Sequence, residues 1–358
     1  MRRTPWLSRF FYVRPPSLAN LSCDGVRGSQ NRNKRCVFSD LSFTPWLKET
    51  CKTPNPTNGS WWIVQILSTT NSTPQTKHHI LRCMNLTPFK SLTWAYQLHY
   101  YLCFRTHRRR QSFLSKESLL KDLITEVCER HEYHLLECQP HPDQLRSLVS
   151  LRPSQCVAKT IQTIKTNSSR EWSRRFDLQP PLWARGYLAR SVGQVRMNAV
   201  REYLDQQSSH HGYDSRLLPP VYRYRAKETI SLTASHASFD LNHHLVLSTC
   251  QRKGIFNSSL GRVLGEYWLR VAAKHGFAID QISIVPDHIH MIVRIAPSMS
   301  IEECALLLMN NGQHFVWKEY PRVFIEAGIN QLWQPSAYAG TCGEYTTGLI
   351  QKWLSSPE

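Results

Sequence analysis

Acidic residues are scarce in this chain: 26 Asp and Glu stand against 44 Lys and Arg, for a formal net charge of +18. That imbalance favours a polyanionic partner, nucleic acid before membrane. The eleven cysteines include no CxxC pair and have no regular spacing, which excludes a zinc ribbon and argues against a disulfide framework. A reducing compartment fits that usage. No apolar run approaches the roughly 18 residues of a membrane span, and the opening MRRTPWLSRFFYVRPP lacks the sustained apolar core of a secretory signal. These absences predict a soluble, cytoplasmic protein with no membrane partner. Also missing is the Gly/Phe-rich RNP1 pattern on a central strand, which counts against an RNA-recognition module.

What is present suffices for two ordinary domains, since 41% of 358 residues are hydrophobic. Residues 1–83, rich in Ser, Thr, Pro, Asn, Arg and Trp, show no sustained period of helix or strand. They read as a disordered extension, or as translated upstream sequence with the real start at Met84, ahead of a basic nucleic-acid-binding arm.

Beyond that point the chain repeats itself. YQLHYYLCFRTHRRRQSF (96–113) lies over FDLNHHLVLSTCQRKGIF (239–256) without a gap, so that Leu98, Leu102, Thr106, Arg109 and Phe113 fall on Leu241, Leu245, Thr249, Arg252 and Phe256. Helical patterns follow, LLKDLITEVCERHEYHL and VLGEYWLRVAAKHGFAI, then the strand-like PDQLRSLVS and PDHIHMIVR, then a second helical pattern in each copy. Both copies close alike, with Leu182, Trp183, Gly193 and Leu204 meeting Leu332, Trp333, Gly343 and Leu354. The reading is strand, helix, strand, helix, strand, helix, twice over: an α+β protein of two tandem domains, 84–207 and 236–358, joined by a linker at 208–235. VYRYRAKETISLT can add an edge strand to the second copy, and two homologous domains on one chain are expected to pack as an intramolecular pseudo-dimer. Trp183 and Trp333 read as core or interface packing.

In a strand His288 and His290 project to one side while Ile289 points into the core, a geometry that suits a divalent ion held by two imidazoles. A buried histidine is more often a satisfied core residue, but two of them in an apolar run are costly without a shared partner. On the last helical pattern of the first copy Tyr203 and Gln207 are four apart and share a face, so a phenol could act as nucleophile beside an amide ligand. Packing alone would explain that helix if it stood by itself. It does not, because the losses are complementary: the first copy has Gln144 and Arg146 in place of His288 and His290, and the second has Trp353 and Pro357 in place of Tyr203 and Gln207. Each copy keeps half a site. Asp287 could support the histidines from behind, but Asp143 occupies the same place in the other copy, which favours a structural role for the PD turn. Arg105, Arg108, Arg109 and Arg110, with Arg252 and Lys253 at the matching turn, are candidates for DNA phosphates, weighed evenly against a solvated charge cluster.

Together the opening strand pattern, PDHIHMIV, LWARGYLARSVG and AVREYLDQQ resemble the TnpA-type HUH transposases of insertion sequences, with the REP-associated tyrosine transposases as relatives. The resemblance covers roughly 90–207 and 236–356. It implies ferredoxin-like domains, an antiparallel sheet with helices packed on it, and single-stranded DNA with hairpin ends as substrate. By the same resemblance His288, His290 and Gln207 would bind Mg or Mn, and Tyr203 would form a 5′-phosphotyrosine. This chain departs from the pattern as a tandem fusion with one intact composite site, leaving Gln144, Arg146 and Trp353 as a degenerate second one. The alternative is a catalytically silent DNA-hairpin binding protein derived from a transposase.

Overall fold

The computed structural model describes residues 87–177, 181–193 and 222–343, all within the compact unit Thr57–Glu358. Segment 1–83, the first half of the linker (208–221), and Tyr203, Gln207, Trp353 and Pro357 lie outside the described residues.

The first half runs β1 (Thr93–Gln97), β2 (His99–Arg105), α1 (Glu117–Arg130), β3 (His134–His141), β4 (Gln144–Ser150), α2 (Val157–Phe176) and β5 (Tyr187–Val192). After β6 (Arg223–Arg225) the second half repeats the plan: β7 (Ala237–Asp240), β8 (Asn242–Thr249), α3 (Ser258–His275), β9 (Ala278–Val285), β10 (His288–Arg294), α4 (Ile301–Glu319), the short α5 (Arg322–Ala327) and β11 (Trp333–Cys342). Each first helix ends earlier than its apolar period predicts, and a further strand follows it. The cause is local: Pro142-Asp143 and Pro286-Asp287 make tight turns that fold β3 onto β4 and β9 onto β10 as antiparallel hairpins, so the apolar residues before each turn belong to a strand.

Two sheets result, in the orders β3-β4-β2-β5-β7 and β6-β9-β10-β8-β11-β1. The edge strand expected from VYRYR is present as β6 on β9. Each sheet covers one face with its own helices. Helix α1 turns Leu120, Leu123, Ile124, Val127 and Cys128 inward, a three-and-four spacing that puts one stripe against Leu102, Phe104, Leu145 and Val149. Each such fully buried aliphatic side chain contributes about 1.5–3 kcal/mol. Trp183 and Trp333 are buried in that core; Trp183 donates to Ser168 Oγ and Trp333 to the Met309 carbonyl. Thr106 and Thr249 repeat one turn, each hydroxyl donating to a carbonyl four residues on, Arg110 or Lys253.

Between the halves the chain trades strands. β1 pairs in parallel with β11 and β7 in parallel with β5, so each long strand starts in one sheet and continues in the other, the handover falling at the fully buried Leu98 and Leu241. The contacts there are reciprocal. Ser191 Oγ donates to the Cys342 carbonyl and Thr341 Oγ1 to the Val192 carbonyl, both at 2.6 Å; the same hydroxyls accept from Asn242 N at 2.9 Å and His99 N at 3.0 Å. Gly193 N donates to Gly343 O at 3.0 Å. A Cβ on Gly193 would sit 2.0 Å from the Thr341 carbonyl oxygen, so only glycine permits the crossing. Tyr100 and His243, equivalent positions in the repeat, meet in a buried hydrogen bond of 2.8 Å.

Candidate active site

The hairpin turn before β10 delivers His288 and His290 to the sheet face away from the domain's own helices, while Ile289 between them packs in the core. Both histidines are buried, with ring centroids 5.0 Å apart. Burial on that face leaves imidazoles dependent on partners, and each ring nitrogen Nδ1 has one.

His288 Nδ1 lies 2.6 Å from Asp287 Oδ1. A carboxylate only accepts, so His288 carries its proton on Nδ1 and presents the Nε2 lone pair. Arg252 fixes that carboxylate from the other side, with Nη2 and Nε at 2.8 and 3.0 Å from Asp287 Oδ2. Arg252 does so from a left-handed backbone conformation (φ 52) in the turn after β8, and its 3.4 Å approach to His288 Nδ1 is proximity, since that nitrogen already donates to Asp287. Asp287 therefore does both jobs: its carbonyl accepts from Thr249, as Asp143 does from Thr106, while its carboxylate orients a histidine. The repeat comparison revealed only the first.

His290 Nδ1 lies 2.9 Å from Nε2 of His244, a residue the sequence reading passed over. Burial pushes the His244 pKa down to about 4, so near neutrality it is uncharged. In the tautomer that leaves His244 Nε2 as the acceptor, His290 donates from Nδ1 and also presents Nε2. Tyr338 closes the far side of His244 edge-on, 5.8 Å between ring centroids. The missed signal was NHH at the start of β8: His244 stands opposite Ile292 in register and reaches His290 diagonally.

Two imidazoles with committed Nδ1 atoms fit a divalent cation through Nε2, the arrangement in which outer partners fix tautomer and ring direction. Among the described residues no group of three or more His, Cys, Asp or Glu is disposed to hold a metal ion.

The remaining candidates are dispersed. Arg108, Arg109 and Arg110 are exposed on the turn after β2, Arg108 and Arg109 with left-handed backbone (φ 52 and 53). Arg105 is buried on β2. Lys253 holds the carbonyls of Ala327 and Gly328 at the end of α5, as Lys165 holds those of Ala184, Arg185 and Gly186. Gln144 and Arg146 occupy on β4 the places of the two histidines. No helix among the described residues is long and apolar enough to cross a membrane.

Residues 94–207 and 237–356 each match the family described as "Transposase IS200 like", together more than half the chain. The ISDra2 transposase TnpA of Deinococcus radiodurans is 24% identical over 118 residues, 33% of this chain and 84% of that protein. The transposase for insertion sequence element IS200 of Salmonella typhimurium is 21% identical over 120 residues, 34% of this chain and 78% of that one. A crystal structure from Deinococcus radiodurans described as a transposase aligns with 22% identity and a TM-score of 0.27, covering 32% of this chain and 92% of that one. With the family matched once over each repeat, the second of which carries the paired histidines, the chain belongs to the IS200-like, TnpA-type HUH transposases and carries the family domain twice in tandem.

Proposed function

We propose that this transposase cleaves and rejoins single-stranded DNA at one composite site, with His288 and His290 from the second domain and Tyr203 and Gln207 from the first. The observation that carries the reading is the buried pair of histidines whose Nδ1 atoms lie 2.6 Å from Asp287 and 2.9 Å from His244, while the matching strand of the first domain has Gln144 and Arg146. A metal-binding half kept in one copy complements a tyrosine kept in the other. Reciprocal strand exchange supports the further reading that two ferredoxin-like domains pack as a pseudo-dimer within one monomer.

His288, His290 and Gln207 would hold Mg or Mn, which supplies charge stabilisation and orientation to the scissile phosphate. Arg252 and Asp287 keep His288 in one tautomer, and His244 keeps His290. Tyr203 attacks phosphorus in line, the bond to the 3′-oxygen breaks, and a 5′-phosphotyrosine remains beside a free 3′-hydroxyl. The phosphoester energy stays in the tyrosine linkage, so rejoining needs no external energy source. A cytoplasmic location fits this substrate.

Incubation of the purified chain with Mn or Mg and labelled single-stranded hairpin DNA, followed by denaturing electrophoresis, tests the reading. A covalent adduct that requires Tyr203 and His288 and survives in Trp353→Phe supports one site assembled across the domains. Absence of any adduct with tight, metal-independent hairpin binding would favour a silent binding protein.

A further inference from the structure

The outward face of the first sheet, the counterpart of the histidine face, differs from it in a consistent way. Register places Arg105 opposite Gln144, Arg146 opposite Cys103 and Arg190 opposite Tyr101, so all three arginines share that face. In the repeat they stand where the second sheet has Ser248, His290 and Gly340. Three guanidinium groups have thus replaced a hydroxyl, an imidazole and a glycine on one side of one sheet. The apolar remainder of the face is small: Tyr101, Cys103 and Leu188, with Leu148 and Val192 against them.

Two of those cations, Arg146 and Arg190, are incompletely matched. No hydrogen bond reaches the buried Nε of Arg146 or of Arg190, nor Nε2 of His141, which register places opposite Gln144. Gln144 itself is only 8% exposed. The carboxylate nearest Arg190 is Asp240, at 3.5 Å, and it is shared with Arg294 at 3.7 Å; Asp143 lies at the rim by the hairpin turn and acts electrostatically on His141. A buried guanidinium N–H without an acceptor costs stability unless a ligand supplies one. The ligand that suits planar N–H donors and net positive charge is a phosphate diester.

We infer that the first sheet's outward face, centred on Arg146, is a phosphate-binding site for the backbone of single-stranded DNA that grips the strand without cutting it. The inference rests on the DNA-cleavage reading for its choice of ligand. Guanidinium charge there does by hydrogen bonding what a metal would do on the sister face, but it supplies no coordination site, and the second copy carries Trp353 in place of a tyrosine. One half of the molecule would hold a strand while the other breaks it.

The test is equilibrium binding of a fluorescein-labelled oligothymidylate, in chelator and over a range of chloride concentrations, for wild type, Arg146→Gln and Arg146→Lys. Arg146→Gln is expected to bind about tenfold more weakly, with a salt slope smaller by about 0.7, the value of one phosphate contact on a single strand. Arg146→Lys should recover the slope, which a merely structural arginine would not require. Equal affinity and slope in Arg146→Gln and wild type would overturn the inference. If orthophosphate at matched ionic strength abolishes the difference between those two without displacing the oligonucleotide, the site takes free phosphate and the DNA assignment is likewise overturned. Adduct yield at saturating DNA separates the two proposals. Loss of the Arg146 effect with adduct retained sinks only this one, and retention of that effect without any adduct sinks only cleavage.

Discussion

All eight residues of β9 in the second half are buried, because β6 covers its outer edge, whereas the matching β3 of the first half is an edge strand with exposed positions along its length. Tyr222, just before β6, seats on α3 only because Gly265 has no side chain: a Cβ there would lie 2.3 Å from the Tyr222 ring. The helices differ in the same sense. Asn257 accepts from Leu260 N at the start of α3 and Ser300 from Glu303 N at the start of α4, while α1 and α2 have no side-chain cap, a difference of roughly 1 kcal/mol per helix. The half that keeps the histidine pair is the better braced. Precise placement of two imidazoles needs a stiff frame, and a surface that holds a flexible strand by charge does not.

Four experiments would break or sharpen that contrast. The largest effect is expected from Tyr203→Phe, which should abolish covalent adduct, and from His288→Ala, which should lower its rate on the order of 10²-fold; Gln144→Ala, at the matching place in the other half, should leave the rate within about twofold. A rate that falls equally for His288→Ala and Gln144→Ala would erase the functional distinction between halves. Next comes the crossing itself. Gly193→Ala should cost about 3 kcal/mol in urea unfolding, since its Cβ meets a carbonyl oxygen rather than a movable side chain. Gly254→Ala, whose Cβ would stand 3.3 Å from Pro286 Cβ, should cost less than about 1 kcal/mol.

Asp287→Asn should weaken Mn binding about 10- to 100-fold, the usual effect of removing a carboxylate behind a ligating histidine, read by titration against electron paramagnetic resonance signal. Asp143→Asn should leave it unchanged. The smallest effect is acid sensitivity at the junction of the halves. Burial lowers the His243 pKa from 6.5 to about 3, so the folded state keeps it neutral while the unfolded chain takes up a proton. That contribution to stability is complete above 6.5 and is lost progressively as pH falls from 6.5 toward 3. His243→Gln should therefore lose less stability than wild type between about pH 7.5 and about pH 5, measured by urea midpoints; identical losses would remove His243 from the account.

Much of this was legible in the sequence. The repeat placed equivalent turns, tryptophans and strands, and alternation put His288 and His290 on one face with Ile289 behind them. Periodicity could not say where the first helices stop, because HEYHLLE and GFAIDQ continue an apolar pattern that serves a strand as well. Nor could it assign TWAYQ and ASFD to the opposite half's sheet: alternation marks a strand, while pairing partners are set by tertiary contacts such as those of Ser191 and Thr341. His244 was hidden for the same reason, being 46 residues from His290 and joined to it only through the register of β8 and β10. Arg252 is a candidate for DNA phosphates as much as a solvated charge in the sequence, where its charge is visible and its engagement with Asp287 is not.

The bond between Tyr100 and His243 has one more consequence. It joins two positions that the repeat makes equivalent, so in an assembly of two identical chains each would face its own copy, tyrosine to tyrosine or histidine to histidine. A single polypeptide with unlike halves escapes that constraint and can set a hydroxyl donor against a neutral imidazole acceptor. The contact works as a key cut for heterotypic pairing: it rewards one half for finding the other and gives either half less reason to pair with itself.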